Sequence, residues 1–273
     1  MPKVLLASDL DCTLLDNDNR VPSECLDAIR RFTDAGGLFT VVTGRPTRGV
    51  HRYPDLISHI NAPLITYNGG CISNPHTREI LWQKYLPEGF GAIVREALNR
   101  FPQVGALVFR GADDYTTVTQ PNDYTYEVSF VREGYTPPEL PLEQAPYPWN
   151  KVVMAGAPEE MAKCAQFMQE HAGNLASMVL TERVFLEINA TGVVKGDTLD
   201  RAAKMIDVEQ KHVLAIGDRM NDITMLQYAG VSAVVANAQP GAAEIADHIV
   251  PSNADHGIVT FIEKVAMPML EEK

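Results

Sequence analysis

The chain has 273 residues, 45% of them hydrophobic, and a formal net charge of −12 from 35 acidic against 23 basic side chains. That is enough apolar material for a packed core, in one large domain or two smaller ones, and it excludes a disordered chain. The acidic balance disfavours nucleic acid and anionic membrane as partners, yet leaves small anionic substrates open where a metal or a lysine inverts the local field.

Cys12, Cys25, Cys71 and Cys164 are scattered, with no zinc-like spacing, and read as reduced thiols of a cytoplasmic protein. The first apolar run is too short for a leader peptide and is broken by Asp9, and no stretch has the length of a membrane span.

Val4-Leu5-Leu6-Ala7 reads as a buried strand that ends in two carboxylates, Asp9 and Asp11. In open α/β sheets, ligands sit beyond the carboxyl ends of such strands. Two carboxylates about 4 Å apart repel by about 4 kcal/mol at an effective dielectric of 20, which a cation or a proton relieves. A strand end capped at a turn is the plainer alternative for these residues.

Ser23 is placed to cap a helix carrying Leu26, Ile29 and Phe32, stopped by Gly36-Gly37. Leu38 to Thr43 is a second strand, ending in Thr43-Gly44-Arg45-Pro46. Leu64 to Tyr67, Asn68-Gly69-Gly70 and Cys71-Ile72 read as strand, tight turn, strand. This alternation predicts a parallel sheet.

The texture changes after Trp82. A helix is expected over 88–101, with strands near 104–109, 115–118 and 127–131 and a proline-rich loop through Pro137, Pro138, Pro141, Pro146 and Pro148. Val152 to Ala155 is a further strand, then a helix after Pro158 and strands near 177–181 and 184–188. Six of the nine tyrosines fall between Tyr85 and Tyr147, which marks the stretch as a separate α+β module.

Asp197 to Ile206 returns to helix. Val213 to Ile216 is a strand ending in Gly217-Asp218-Arg219-Met220-Asn221-Asp222. A helix with Met225 and Leu226, a strand Val231 to Val235, a helix near 241–246, a short strand at Ile249-Val250 and a terminal helix complete the chain.

Three apolar strands thus end in DLDCT, TGR and GDRMND, and Lys195 stands alone in Gly192-Val193-Val194-Lys195-Gly196. In these four motifs, in this order, the chain resembles the haloacid dehalogenase superfamily of phosphatases, and within it the Cof-type branch with a large α/β cap. Asn68-Gly69-Gly70, Ala236-Asn237-Ala238 and Ser252-Asn253…Gly257 are similar to that branch as well. The resemblance implies a doubly wound parallel-sheet, Rossmann-like core at 1–83 and 188–273, and an inserted α+β cap at 84–187 that sets substrate selectivity.

It also implies roles. Asp9 would be the nucleophile that forms an aspartyl-phosphate, or else only a metal ligand. Asp11 would protonate the leaving oxygen and then activate water, or else only position the loop. Mg²⁺ would be held by Asp218, Asp9 and the backbone carbonyl of Asp11, with Asp222 as a further ligand or a brace. Thr43 and the Gly44 amide would hold phosphate oxygens, Lys195 would offset the phosphoryl charge, and Asn221, at a helix start, would face an anion. Arg45 is a candidate substrate contact, though it can equally pair with a carboxylate. Cys12 stands where the family has Gly; a positive φ there would strain it, and it is read as a packing residue.

The expected activity is Mg²⁺-dependent hydrolysis of small phosphate monoesters such as sugar phosphates. Two alternatives stay open: a phosphomutase or phosphotransferase on the same scaffold, and a non-catalytic phosphate-ester-binding regulatory protein. A calcium loop from Asp16 is disfavoured, because its sixth position is not Gly and its twelfth is Asp27. GxxxxGK, HExxH and GxSxG are absent from the sequence.

Overall fold

The computed structural model describes residues 3–111, 115–172 and 175–271. The chain divides into two compact units, one of residues 1–44, 50–82 and 194–273, the other of residues 45–49 and 83–193.

In the first unit, β1 (Leu5–Ser8), α1 (Ser23–Asp34) and β2 (Leu38–Val41) follow one another as the apolar runs dictate. Pro22, not Ser23, occupies the N-cap of α1, and no side chain caps it. Proline cannot donate a backbone hydrogen bond and is well placed at a helix start, so the helix begins one residue earlier than a serine cap requires. Two short helices, α2 (Thr47–His51) and α3 (Pro54–His59), lead to β3 (Leu64–Thr66), β4 (Cys71–Ser73) and β5 (Ile80–Gln83).

The expected third parallel strand is not in the main sheet. β3 instead opens a three-stranded sheet with β4 and β5, and meets the main sheet only through the Val42↔Ile65 bridge. That bridge is parallel, and the tight turn at Tyr67–Gly69 sends β4 straight back along β3, so the strand's ladder is made with β4.

The second unit begins with α4 (Phe90–Arg100), β6 (Gly105–Arg110) and β7 (Tyr115–Thr119). The strand expected at 127–131 is helical: α5 (Asp123–Tyr126) continues into a wider π-type turn over Glu127–Arg132. Asn122 and Thr125 start it, each side chain accepting from the other's backbone N–H, and that reciprocal cap overrides the β-forming Val128, Phe130 and Val131. β8 (Lys151–Ala155), α6 (Pro158–Ala172), β9 (Ala176–Thr181) and β10 (Phe185–Ala190) complete an antiparallel sheet of order β7-β6-β8-β10-β9. α4 and α6 cover one face, where Val94, Leu98, Met161 and Phe167 pack on Val108, Val152, Met154 and Ile188.

The chain then resumes the first unit with α7 (Lys195–Met205), β11 (Val213–Gly217), α8 (Ile223–Tyr228), β12 (Val231–Val235), α9 (Pro240–Ala243) and β13 (His248–Val250). A terminal helix follows, α10 (Gly257–Phe261) passing through a π-type stretch into α11 (Met267–Glu271). The main sheet is parallel, in the order β13-β12-β11-β1-β2.

Alternation sends Leu6, Phe39, Leu214 and Ile216 to one face, against Ile29 and Phe32 of α1 and Phe261 of α10. Leu5, Ala7, Val213 and Ala215 go to the other, against Leu199 of α7 and Met225 of α8. Both faces are therefore covered, as a parallel sheet requires. No helix among the described residues is long and apolar enough to cross a membrane.

Candidate active site

β1 is flanked by β2 on one side and β11 on the other, so the winding reverses beside it. Ligands bind at such a switch point, beyond the carboxyl ends of the strands. Asp9 follows β1 directly, and its N–H continues the ladder to the Ile216 carbonyl at 2.9 Å. The Ser8↔Ile216 and Ser8↔Val41 registers put Asp9, Asp218 and the segment leading to Thr43 at one sheet edge. Asp9, Asp218 and Asp222 are buried, and Asp11 is half-buried.

Lys195 lies between two of these carboxylates. Its Nζ donates to Asp9 Oδ1 at 2.5 Å and to Asp222 Oδ1 at 2.6 Å, with the side chain fully buried. Burial by itself opposes the ammonium, but the charges of Asp222 and Asp9 overrule it and raise the Lys195 pKa. A solvated surface lysine is thus excluded by the packing.

Asp222 is bound on both oxygens. Its Oδ2 accepts from the N–H groups of Asp218 at 3.0 Å and Arg219 at 2.9 Å. Gly217 makes this possible: a Cβ there would stand 2.7 Å from the Asp222 Cβ. The carboxylate thereby closes the strand-to-helix turn and holds Asp218 in place. Asp218 Oδ1 accepts from Thr13 Oγ1 at 3.0 Å, and Asp218 Oδ2 lies 3.4 Å from Arg219 Nε.

Cys12 has φ +59°, the left-handed conformation that favours glycine. Its carbonyl accepts from Asn237 Nδ2 at 2.9 Å, and its Sγ accepts from Arg219 Nη2 at 3.4 Å. Asn237 Oδ1 in turn accepts from the N–H of Asn253, whose side chain donates to the Leu15 carbonyl. The three C-terminal loops therefore pin the aspartate loop from outside. Burial pushes the Cys12 thiol up, which makes it a poor nucleophile.

Burial, and then the Asp222 charge, push Asp9 well above the ordinary carboxylate range, with Lys195 only partly compensating. The same two causes push Asp218 up to about 6. Oxygens of Asp9, Asp218 and Asp222 all lie within 4.8 Å of one another. Crowded, buried, all-oxygen donors that hold protons too tightly fit a hard divalent cation, which would take the place of those protons.

Thr43 and Gly44 are placed by the neighbouring turn. Thr43 N–H donates to Ile65 and its carbonyl accepts from Asn68 N–H. A Cβ at Gly44 would lie 2.8 Å from Asn68 Oδ1, so glycine is required there for Asn68 to approach. Asn221 Nδ2 donates to the same Asn68 Oδ1 at 3.1 Å, joining the Tyr67–Gly69 turn to the fourth motif loop. The helix start expected to strengthen Asn221 is weak: α8 begins at Ile223 and has six residues, so Asn221 contributes its side-chain amide. Arg45 belongs to the second unit, where its Nη1 donates to the Arg132 carbonyl at 3.4 Å.

Thr13, Asn68 and Arg219 join the site although sequence reasoning assigned them no role. Asn68 sits in a turn with φ +57°, and Arg219 follows the third aspartate; only the tertiary contacts distinguish them from ordinary turn residues.

Residues 6–262 match the family model described as haloacid dehalogenase-like hydrolase. YxeH of Bacillus subtilis is 28% identical, over 96% of this chain and 98% of its own. YwtE of the same organism, a 5-amino-6-(5-phospho-D-ribitylamino)uracil phosphatase, is 27% identical over 95% of this chain and 97% of its own. The crystal structure of a haloacid dehalogenase-like hydrolase from Bacteroides thetaiotaomicron superposes with a TM-score of 0.87 at 23% identity, covering 96% of this chain and 99% of that one. With the motif loops gathered at one sheet edge, the family match over nearly the whole chain leads to one conclusion: the protein belongs to the haloacid dehalogenase-like hydrolases.

Proposed function

We propose that the protein hydrolyses phosphate monoesters of small metabolites, sugar phosphates among them, through an aspartyl-phosphate on Asp9, with Mg²⁺ as cofactor. The observation that carries this reading is the buried Lys195 ammonium bound to Asp9 Oδ1 beside Asp218. It orients a carboxylate at the switch point and supplies positive charge where phosphoryl oxygens would develop negative charge.

In the first half-reaction an Asp9 oxygen bonds to phosphorus as the ester P–O bond breaks, and Asp11 gives its proton to the departing alkoxide. In the second, Asp11 takes a proton from water, whose oxygen bonds to phosphorus while the Asp9–phosphorus link breaks. Inorganic phosphate leaves and both aspartates return to their starting state. Thr43 and the Gly44 amide hold the phosphoryl oxygens, with Asn221 beside them. Asp9, Asp218 and the Asp11 carbonyl would hold Mg²⁺, which when bound supplies neutralisation of the phosphoryl charge. Asp222 braces Asp218 and Lys195, since both of its oxygens already accept hydrogen bonds.

The second unit, 84–187 by the sequence reading, is proposed as a cap that selects the alcohol portion of the ester. Its own apolar cluster and sheet make it an independent body. YwtE, named for a phosphorylated ribityl compound, supports a hydroxyl-rich substrate. Phosphate release from a panel of small esters, with and without Mg²⁺, tests the proposal. Release that requires Mg²⁺ and is abolished by Asp9→Asn, with the fold retained, supports it. Isomerised ester without free phosphate would favour a mutase, and no turnover of any ester would favour a binding protein.

A further inference from the structure

Arg219 is a cation at the site to which the proposed chemistry gives no part. Its Nε lies 3.4 Å from Asp218 Oδ2, and its Nη2 donates to Cys12 Sγ at 3.4 Å. The guanidinium thus bridges the turn after β11 and the loop after β1, both of which belong to the first unit. The Arg219 side chain is 47% exposed, whereas that of Asp218 is 4% exposed.

Asp218 does not need Arg219 to hold its place. Its N–H donates to Asp222 Oδ2 at 3.0 Å, and its carbonyl accepts from the Gln239 N–H at 2.8 Å. Its Oδ1 accepts from Thr13 Oγ1 at 3.0 Å. The backbone on both sides of Asp218 and one oxygen of its carboxylate are therefore fixed by other partners. What Arg219 adds is positive charge beside the second oxygen.

Lys195 and Arg219 pair with these carboxylates in different ways. Lys195 is fully buried, at 2.5 Å from Asp9 and 2.6 Å from Asp222, and moving it would strand charge in the interior. Arg219 stands farther from its carboxylate than a charge-assisted hydrogen bond allows, and its other tie is to sulfur, a weak acceptor. A loose ion pair open to water contributes little and breaks at little cost. Yet a guanidinium beside Asp218 repels any second cation that this carboxylate would bind. We propose that Arg219 is a displaceable counter-ion, which competes with Mg²⁺ for Asp218 and so holds the cation affinity below what the carboxylates alone would give. This role rests on the Mg²⁺ reading above.

Titration calorimetry of the full chain with MgCl₂ tests this, together with thermal melts with and without the salt. In Arg219→Gln, which removes the charge, the Kd for Mg²⁺ falls by about threefold or more, the scale of one exposed ion pair. Saturating Mg²⁺ then raises the melting temperature of the variant by more than it raises that of the parent. Arg219→Lys, which keeps a positive charge, stays closer to the parent in Kd than Arg219→Gln does. A smaller change in Arg219→Gln overturns the role, and so does an equal gain in Arg219→Lys. A higher Kd in Arg219→Gln overturns it as well, because it would make Arg219 a support of Asp218. Each of these outcomes leaves the Mg²⁺ reading intact, since the parent still binds the cation. A parent that shows neither heat nor a melting shift with Mg²⁺ overturns the Mg²⁺ reading and the role with it.

Discussion

Lys195 Nζ stands 2.5 Å from Asp9 Oδ1, across 186 residues of sequence, and its ammonium is completely buried. A charge removed from water to that degree is tolerated because Asp222 holds it from the other side at 2.6 Å. The ion pair joins the start of α7 to the end of β1, and so sets the position of the proposed nucleophile.

Replacing Lys195 by Ala leaves Asp9 and Asp222 buried without their cation. The expected cost in stability is about 3–5 kcal/mol, as for other broken buried pairs. Turnover should drop by roughly 10²–10³, the loss typical of one charge-stabilising donor. Urea unfolding and phosphate release measure the two. Full activity in the variant would remove Lys195 from the site.

Asp222→Ala deprives two backbone amides and Lys195 of their acceptor. Each orphaned buried donor costs about 1–3 kcal/mol. Divalent-cation affinity should weaken by roughly 10- to 100-fold through the loosened Asp218, as with other supporting partners of metal ligands. Calorimetric titration with Mg²⁺ reads this directly. Unchanged affinity would mean that Asp218 keeps its position without the brace.

Cys12→Gly should stabilise the protein by roughly 0.5–1 kcal/mol. A left-handed non-glycine residue costs about 1–2 kcal/mol. Glycine returns roughly 0.4–1 kcal/mol of that through the freer unfolded chain. The midpoint of denaturant unfolding should rise at constant slope. A lower midpoint would show that the Cys12 Sγ contact with Arg219 outweighs the strain.

The metal-free protein should lose stability as pH rises from about 4 to about 6. Asp218 is pushed up to about 6 in the fold, against 3.8 for the ordinary group, so the folded state binds more protons across that window. The contribution is fully present below the unfolded value and is gone above the folded one. A divalent cation reverses the sign, because it takes the same carboxylate without its proton. Its apparent affinity should fall roughly tenfold per unit as pH drops below about 6. Thermal melts across pH, with and without Mg²⁺, separate the two effects.

The sequence by itself determined what depends on neighbours along the chain. Apolar runs such as Leu5–Ser8, Val213–Gly217 and Val231–Val235 are strands, because only a two-sided buried strand uses so many apolar residues in succession. The abrupt polar ends of β1, β2 and β11 located the candidate site at one sheet edge, since parallel strands carry their carboxyl ends to the same side. The tertiary structure decided what depends on distant partners. It placed β3 outside the main sheet, whereas the helix over Glu127–Arg132 follows from a local signal, the Asn122–Thr125 cap, that outweighs the β-forming residues after it. It also buried Lys195, which a local reading cannot tell from a surface lysine. Register and burial are properties of the packed chain, because each is set by whichever surface arrives from elsewhere in the sequence.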